Sequence, residues 1–170
     1  MPSKYRIRNY AQNSTYHISN LGLNNSEIFL DDEDYKKFQD FLQAHSSSDI
    51  ELISYLLLPN HYHLLTRQTN IDGVAKLLKK VINSYTYYFH KKYQIRGPLF
   101  AGKFKSVKIE GREIPLLCQY LYSHPGILWL ANSYKSYPWN KFSLEITFDH
   151  KELDKKTLEE IRHLIMDVGY

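Results

Sequence analysis

Leu56-Leu57-Leu58-Pro59-Asn60-His61-Tyr62-His63-Leu64-Leu65-Thr66 is the stretch around which the chain is organised. Three leucines run into a Pro-Asn turn signal, and the apolar run that resumes carries a histidine at every second position, as a half-buried strand does. Strand side chains alternate between faces, so His61 and His63 are expected on one face and Tyr62 on the other. The apolar run Ile50 to Leu58 reads as the preceding strand, and so short a connection predicts an antiparallel pair. Two neighbouring imidazoles make half of a metal site. Taken alone they read as polar residues on a solvent face, so a ligand role needs a third donor and a reactive group elsewhere.

Working outward, Thr15 to Asn20 alternates and stops at Leu21-Gly22, which predicts a first strand. Asp31-Asp32-Glu33-Asp34 then opens a helix whose apolar stripe is Tyr35, Phe38, Phe41 and Leu42. Acids there complement the helix dipole, a simpler account of the cluster than a metal site. From Ile71 to Tyr93, apolar residues recur at steps of three and four, with Lys76, Lys79, Lys80, Lys91 and Lys92 on other faces. Lys103 to Ile109 alternates basic and apolar residues as a fourth strand, and Gly111 to Tyr122 is helical provided Pro115 lies in the first turn. The order βαββαβ plus a further helix predicts an α+β, ferredoxin-like antiparallel sheet, with two helices on one face and the last helix free to cover the other. Residues 1–148 are expected to form one domain, followed at 149–170 by an amphipathic C-terminal helix or tail carrying Leu153, Leu158, Ile161, Leu164, Ile165 and Val168.

The 170 residues are 43% hydrophobic and 24% charged, values that suit a globular domain with a real core. Fifteen tyrosines and a net charge of +4 suit a protein that stacks bases and neutralises phosphates, and they suit a tyrosine-rich core equally. The single cysteine, Cys118, excludes an internal disulfide and a cysteine-rich zinc module, so a reduced, cytoplasmic location is expected. No run approaches a membrane span.

The helix Leu116 to His124 puts Tyr120 and His124 four residues apart, a nucleophile and a nitrogen donor on one face. If that face covers the sheet where His61 and His63 project, three imidazoles meet beside a phenol. Three histidines also occur in zinc hydrolases, where the metal activates water and no tyrosine is required. A phenol points instead to covalent catalysis at phosphorus.

Several separated blocks carry a resemblance: Tyr16-His17-Ile18; Phe29-Leu30-Asp31-Asp32-Glu33-Asp34-Tyr35; Leu58 to Leu65; Tyr88 to Tyr93 with Gly97-Pro98-Leu99-Phe100 and Lys103 to Ser106; Tyr120 to Pro125; and Tyr137-Pro138-Trp139. In these the chain resembles the single-tyrosine HUH transposases of the IS200/IS605 type, and most closely their REP-associated tyrosine transposase branch. The resemblance implies that His61 and His63 are metal ligands, that Tyr120 is the nucleophile, and that the third ligand stands four residues after it. The family usually has Asn or Gln there, and this chain has His124. Imidazole suits softer cations than Mg²⁺, so the expected cofactor is Mg²⁺ or Mn²⁺.

The activity implied is cleavage of single-stranded DNA beside a hairpin through a 5′-phosphotyrosine, followed by rejoining of strands, in the prokaryotic cytoplasm at the nucleoid. Arg67, Arg96, Lys103, Lys105 and the long-helix lysines Lys76, Lys79, Lys80, Lys91 and Lys92 are candidates for the DNA-binding wall. The protein is expected as a monomer or a homodimer, according to whether Tyr120 works with its own histidines or a partner's. Two other readings stand beside this one, a domesticated hairpin-binding protein of the same fold and an unrelated zinc-dependent hydrolase. The joint presence of His61, His63 and Tyr120 favours the strand transferase, because a pure binding module has no use for a nucleophile.

Overall fold

A computed structural model describes residues 10–122, 137–142 and 159. Strands β1 (Ser14–Leu21), β2 (Ile50–Leu58), β3 (His61–Gln68), β4 (Lys105–Ile109) and β5 (Asn140–Phe142) alternate with helices α1 (Asp32–His45), α2 (Gly73–Tyr93) and α3 (Ile114–Tyr122). The sheet is antiparallel throughout, in the order β4-β1-β3-β2-β5. Its first four strands have the expected ferredoxin-like arrangement, with the histidine strand β3 inside. The fifth strand is an addition at the β2 edge. It is anchored by Tyr137, whose hydroxyl donates to the Leu57 carbonyl at 2.6 Å, and by Trp139, which stacks on Tyr35 of α1 with ring centroids 4.8 Å apart.

Alternation along the strands divides the core in two. Tyr16, Ile18, Leu57, Tyr62 and Leu64 face α1 and α2, whose apolar stripes Phe38-Leu42 and Val74-Leu77-Leu78-Val81-Tyr85 close over them. Leu56, Leu58, Leu65 and Ile109 face the other way and are covered by Ile114, Leu117, Cys118 and Leu121 of α3. Those four recur at steps of three and four, so α3 has one buried stripe. Pro115 is the second residue of α3, where its missing N–H costs no helical bond.

α1 opens as its acids predict, with Asp31 as N-cap and a reciprocal capping box. The Asp31 carboxylate accepts from the Asp34 amide at 3.1 Å, and the Asp34 carboxylate accepts from the Asp31 amide at 3.3 Å. Lys92, near the end of α2, reaches this cluster and pairs with Asp31 at 2.8 Å, Asp34 at 2.9 Å and Glu33 at 3.1 Å. After β1 the chain turns tightly at Gly22. A Cβ there would lie 2.0 Å from the Ser26 carbonyl oxygen, so a larger residue would break the turn. No helix among the described residues is long and apolar enough to cross a membrane. The expected C-terminal helix falls outside the described residues apart from Glu159.

Candidate functional site

On the α3 face, the strand register sets out two rows. Lys105, Ser19, His63, Leu56 and Asn140 are successive cross-strand partners from β4 to β5, and Leu21, His61 and Leu58 form the row beside them. His61 and His63 thus share a face, their rings 5.2 Å apart and nearly perpendicular. Both are buried, at 3% and 2% exposure, which excludes a solvent-face role.

A buried imidazole must satisfy its polar atoms. His61 Nδ1 lies 2.6 Å from Asn60 Oδ1, an oxygen that only accepts, so His61 carries its proton on Nδ1 and its lone pair on Nε2. The Asn60 amide is oriented in turn by donation from Nδ2 to Asn25 Oδ1 at 2.7 Å. His63 Nδ1 lies 3.0 Å from Nε2 of His17, and the two rings meet edge to edge, their centroids 5.2 Å apart and their planes within 20° of parallel. Each histidine of the pair therefore has Nδ1 engaged by a protein neighbour. Metal-ligating histidines are held in this way by a neighbour at the ring nitrogen that faces away from the ion.

Tyr120 is buried with Leu56 and Leu58, the cross-strand partners of His63 and His61, so its helix brings the phenol to the histidine face. His124 lies outside the described residues. Among the described residues no group of three His, Cys, Asp or Glu side chains could hold a metal ion. The two imidazoles on one face, each with Nδ1 engaged, nevertheless suit a divalent ion. Two imidazoles without a carboxylate hold Mn²⁺ more readily than the harder Mg²⁺. Cys118 of α3 is no competing nucleophile, because burial pushes its thiol up to about 11 and the nearby Ser54 hydroxyl offsets this only in part.

The candidate cations separate by face. Lys103 and Lys105 line an open cavity of about 270 Å³ with Ser19, Asn20, Leu21, Ala101 and Gly102, beside the His63 row. Arg67 lies on the same strand face as the histidines, towards the other end of β3, 3.5 Å from Glu51. Arg96 is exposed in the loop after α2. The lysines of α2 belong to a helix packed on the opposite face of the sheet. Lys76, Lys79, Lys80 and Lys91 are exposed there, and Lys92 is engaged with the acids of α1. Lys103 and Lys105 are thus the candidate cations beside the histidine row, and the lysines of α2 belong to the helix on the other side of the sheet.

Two residues beside the histidine pair, His17 and Asn60, receive no role from the sequence. Asn60 reads as a turn residue within the Leu58 to Leu65 block. For His17 the available sign was the polar alternation Thr15-His17-Ser19 within a strand that also carries Tyr16 and Ile18.

Residues 10–124 match the family model described as "Transposase IS200 like". No curated protein matches the chain. Among solved structures, the fold is similar to that of a REP-associated tyrosine transposase bound to a REP hairpin. The TM-score is 0.62 at 16% identity, over 82% of this chain and 82% of that one. A putative transposase from Deinococcus radiodurans R1 aligns at 16% identity with a TM-score of 0.48, over 69% of this chain and 95% of that one.

Proposed function

The chain belongs to the IS200-like transposase family, and we propose that it cleaves and rejoins single-stranded DNA beside a hairpin, with Tyr120 as nucleophile and His61, His63 and His124 as holders of a divalent ion. One observation carries this reading: β3 and α3, distant in the chain, bring two buried histidines with engaged Nδ1 atoms and a buried phenol to one face of the sheet. The hairpin in the similar solved structure supports hairpin DNA as the partner.

A bound ion would withdraw charge from the scissile phosphate and fix its orientation. A free phenol has a pKa of ~10, so Tyr120 must pass its proton to a neighbouring base or solvent as its oxygen closes on phosphorus. The new bond joins Tyr120 Oη to phosphorus, the bond from phosphorus to the 3′ oxygen breaks, and that oxygen leaves with a proton as a free 3′-hydroxyl. Because the 5′-phosphotyrosine keeps the phosphodiester bond energy, attack by a different 3′-hydroxyl reverses the step and joins strands without ATP. Leu56, Leu58, Leu117 and Leu121 keep bulk water from the phenol. Lys105, in the row of His63, is the cation this reading assigns to a flanking phosphate.

The test uses a labelled single-stranded hairpin with its flanks, incubated with Mg²⁺ or Mn²⁺ and resolved by denaturing electrophoresis. Wild type gives a covalent protein–DNA band. Tyr120→Phe binds the hairpin as wild type does and gives none, and His63→Ala loses metal-dependent cleavage. A band that persists in Tyr120→Phe but vanishes in Tyr122→Phe moves the nucleophile. Hairpin binding with no band under any metal leaves a binding protein of the same fold.

A further inference from the structure

The contact between His17 and His63 must have a direction. Only one proton can lie between two ring nitrogens 3.0 Å apart, and a neutral imidazole has one N–H and one lone pair. If the proton belonged to His17, His63 would accept at Nδ1 and carry its own proton on Nε2, the nitrogen a metal ion would need. If it belongs to His63, Nδ1–H donates to His17 and the lone pair falls on Nε2. We infer that His17 accepts this bond and thereby fixes His63 as an Nε2 donor, a positioning residue for the metal site; the inference rests on the reading of His63 as a ligand.

Three features point this way. First, His17 is 1% exposed in a row where its cross-strand partners are Val107 on β4 and Leu65 on β3, so an apolar side chain would be the cheaper occupant. Second, β1 is paired on both sides and the His17 ring lies edge to edge with that of His63, within 20° of coplanar, so the acceptor is held in the plane of the bond rather than delivered by a loop. Third, the neighbouring histidine is treated in the same manner. Asn60 accepts from His61 Nδ1, so both rings would then present the same nitrogen.

The test compares His17→Phe, which keeps the ring volume without an acceptor, with His17→Gln, whose Oε1 can accept near the position of Nε2. Mn²⁺ affinity is measured on the full chain by calorimetry without DNA, alongside metal-free hairpin binding. Long-range ¹H–¹⁵N spectra of the metal-free wild type report the His63 tautomer directly, independent of any variant's folding. The expected results are an Nδ1–H tautomer at His63, Mn²⁺ affinity lowered about 10–100-fold in His17→Phe, and recovery of most of it in His17→Gln, with hairpin binding unchanged in both. An Nε2–H tautomer in the wild type overturns the inference, as does undiminished Mn²⁺ affinity in His17→Phe or an equal loss in the two variants. His63→Ala separates the two levels. If it abolishes Mn²⁺ binding while His17→Phe does not, the inference alone fails; if it leaves Mn²⁺ binding intact, the ligand reading fails and takes the inference with it.

Discussion

Asn60 shows how much one side chain can hold. Its Oδ1 accepts from His61, its Nδ2 donates to Asn25, and its backbone oxygen accepts from the amide of Gly22 at 2.8 Å. Asn60→Ala leaves a buried His61 N–H without its acceptor, at a cost of about 1–3 kcal/mol. The expected outcome is a lower unfolding temperature together with about tenfold weaker Mn²⁺ binding. Calorimetry that found the first without the second would separate Asn60 from the metal site. At Cys118, burial holds the thiol protonated until about pH 11, so alkylation by iodoacetamide in the native protein should stay negligible from pH 7 to pH 9 and become fast only on unfolding. At this scale the sequence yields the shared face of His61 and His63, because a period of two is a local property. It does not yield their burial or the role of His17, which depend on the register of Ser19 against His63, set by pairing between strands far apart in the chain.

Between elements, an ionic cluster ties the start of α1 to the end of α2. Asp34 is fully buried, accepts from the hydroxyls of Tyr88 and Tyr93, and meets Lys92 at 2.9 Å. Removing one partner of such a cluster strands the buried carboxylate, so Lys92→Met should destabilise by on the order of 3 kcal/mol, or roughly 6–12 °C in Tm for a chain of this size. Hairpin binding by the folded fraction should be unaffected. The hydrogen bond from Lys92 holds the Asp31 carboxyl below its ordinary range. A depressed carboxylate contributes stability that is fully present above its unfolded pKa of ~3.9 and is lost as pH falls through the lower folded value. Thermal unfolding followed from pH 6 to pH 2 should therefore decline more steeply below pH 4 in wild type than in Lys92→Met. The acidic start of α1 and the place of Pro115 were legible, since both are short-range chemistry. Lys92 was not, because a lysine on a helical flank looks the same whether it meets water, phosphate or an acid some sixty residues earlier. Strand β5 was hidden for a related reason. Three residues carry no periodicity, and Asn140–Phe142 becomes a strand only through the β2 edge that Tyr137 and Trp139 hold it against.

For the whole molecule, the sheet is a partition. One side carries α1, α2 and most of the lysines that the sequence displays in periodic array, and the other carries the histidines, α3 and the β4 approach with Lys103 and Lys105. Composition and helical periodicity reveal how many cations there are and how they are spaced. Which side of a sheet they occupy is decided by the alternation of apolar residues along the strands. If the proposed chemistry runs on the α3 face, cations should matter in proportion to their place on it. Lys105→Ala should lower the rate of hairpin cleavage, and it should reduce the slope of log affinity against log salt by about 0.7, the contribution of one phosphate contact on a single strand. The double variant Lys79→Ala with Lys80→Ala removes twice the charge from the opposite side, so general attraction would weaken modestly while the cleavage rate at saturating DNA stays at the wild-type value. Cleavage rates and salt titrations on the same hairpin separate the two, because a nonspecific charge effect follows the number of lysines removed and a site effect follows their face. A larger loss of cleavage in the α2 double variant than in Lys105→Ala would put the scissile strand on the wrong side of the sheet for Tyr120 and overturn the proposed site as a whole.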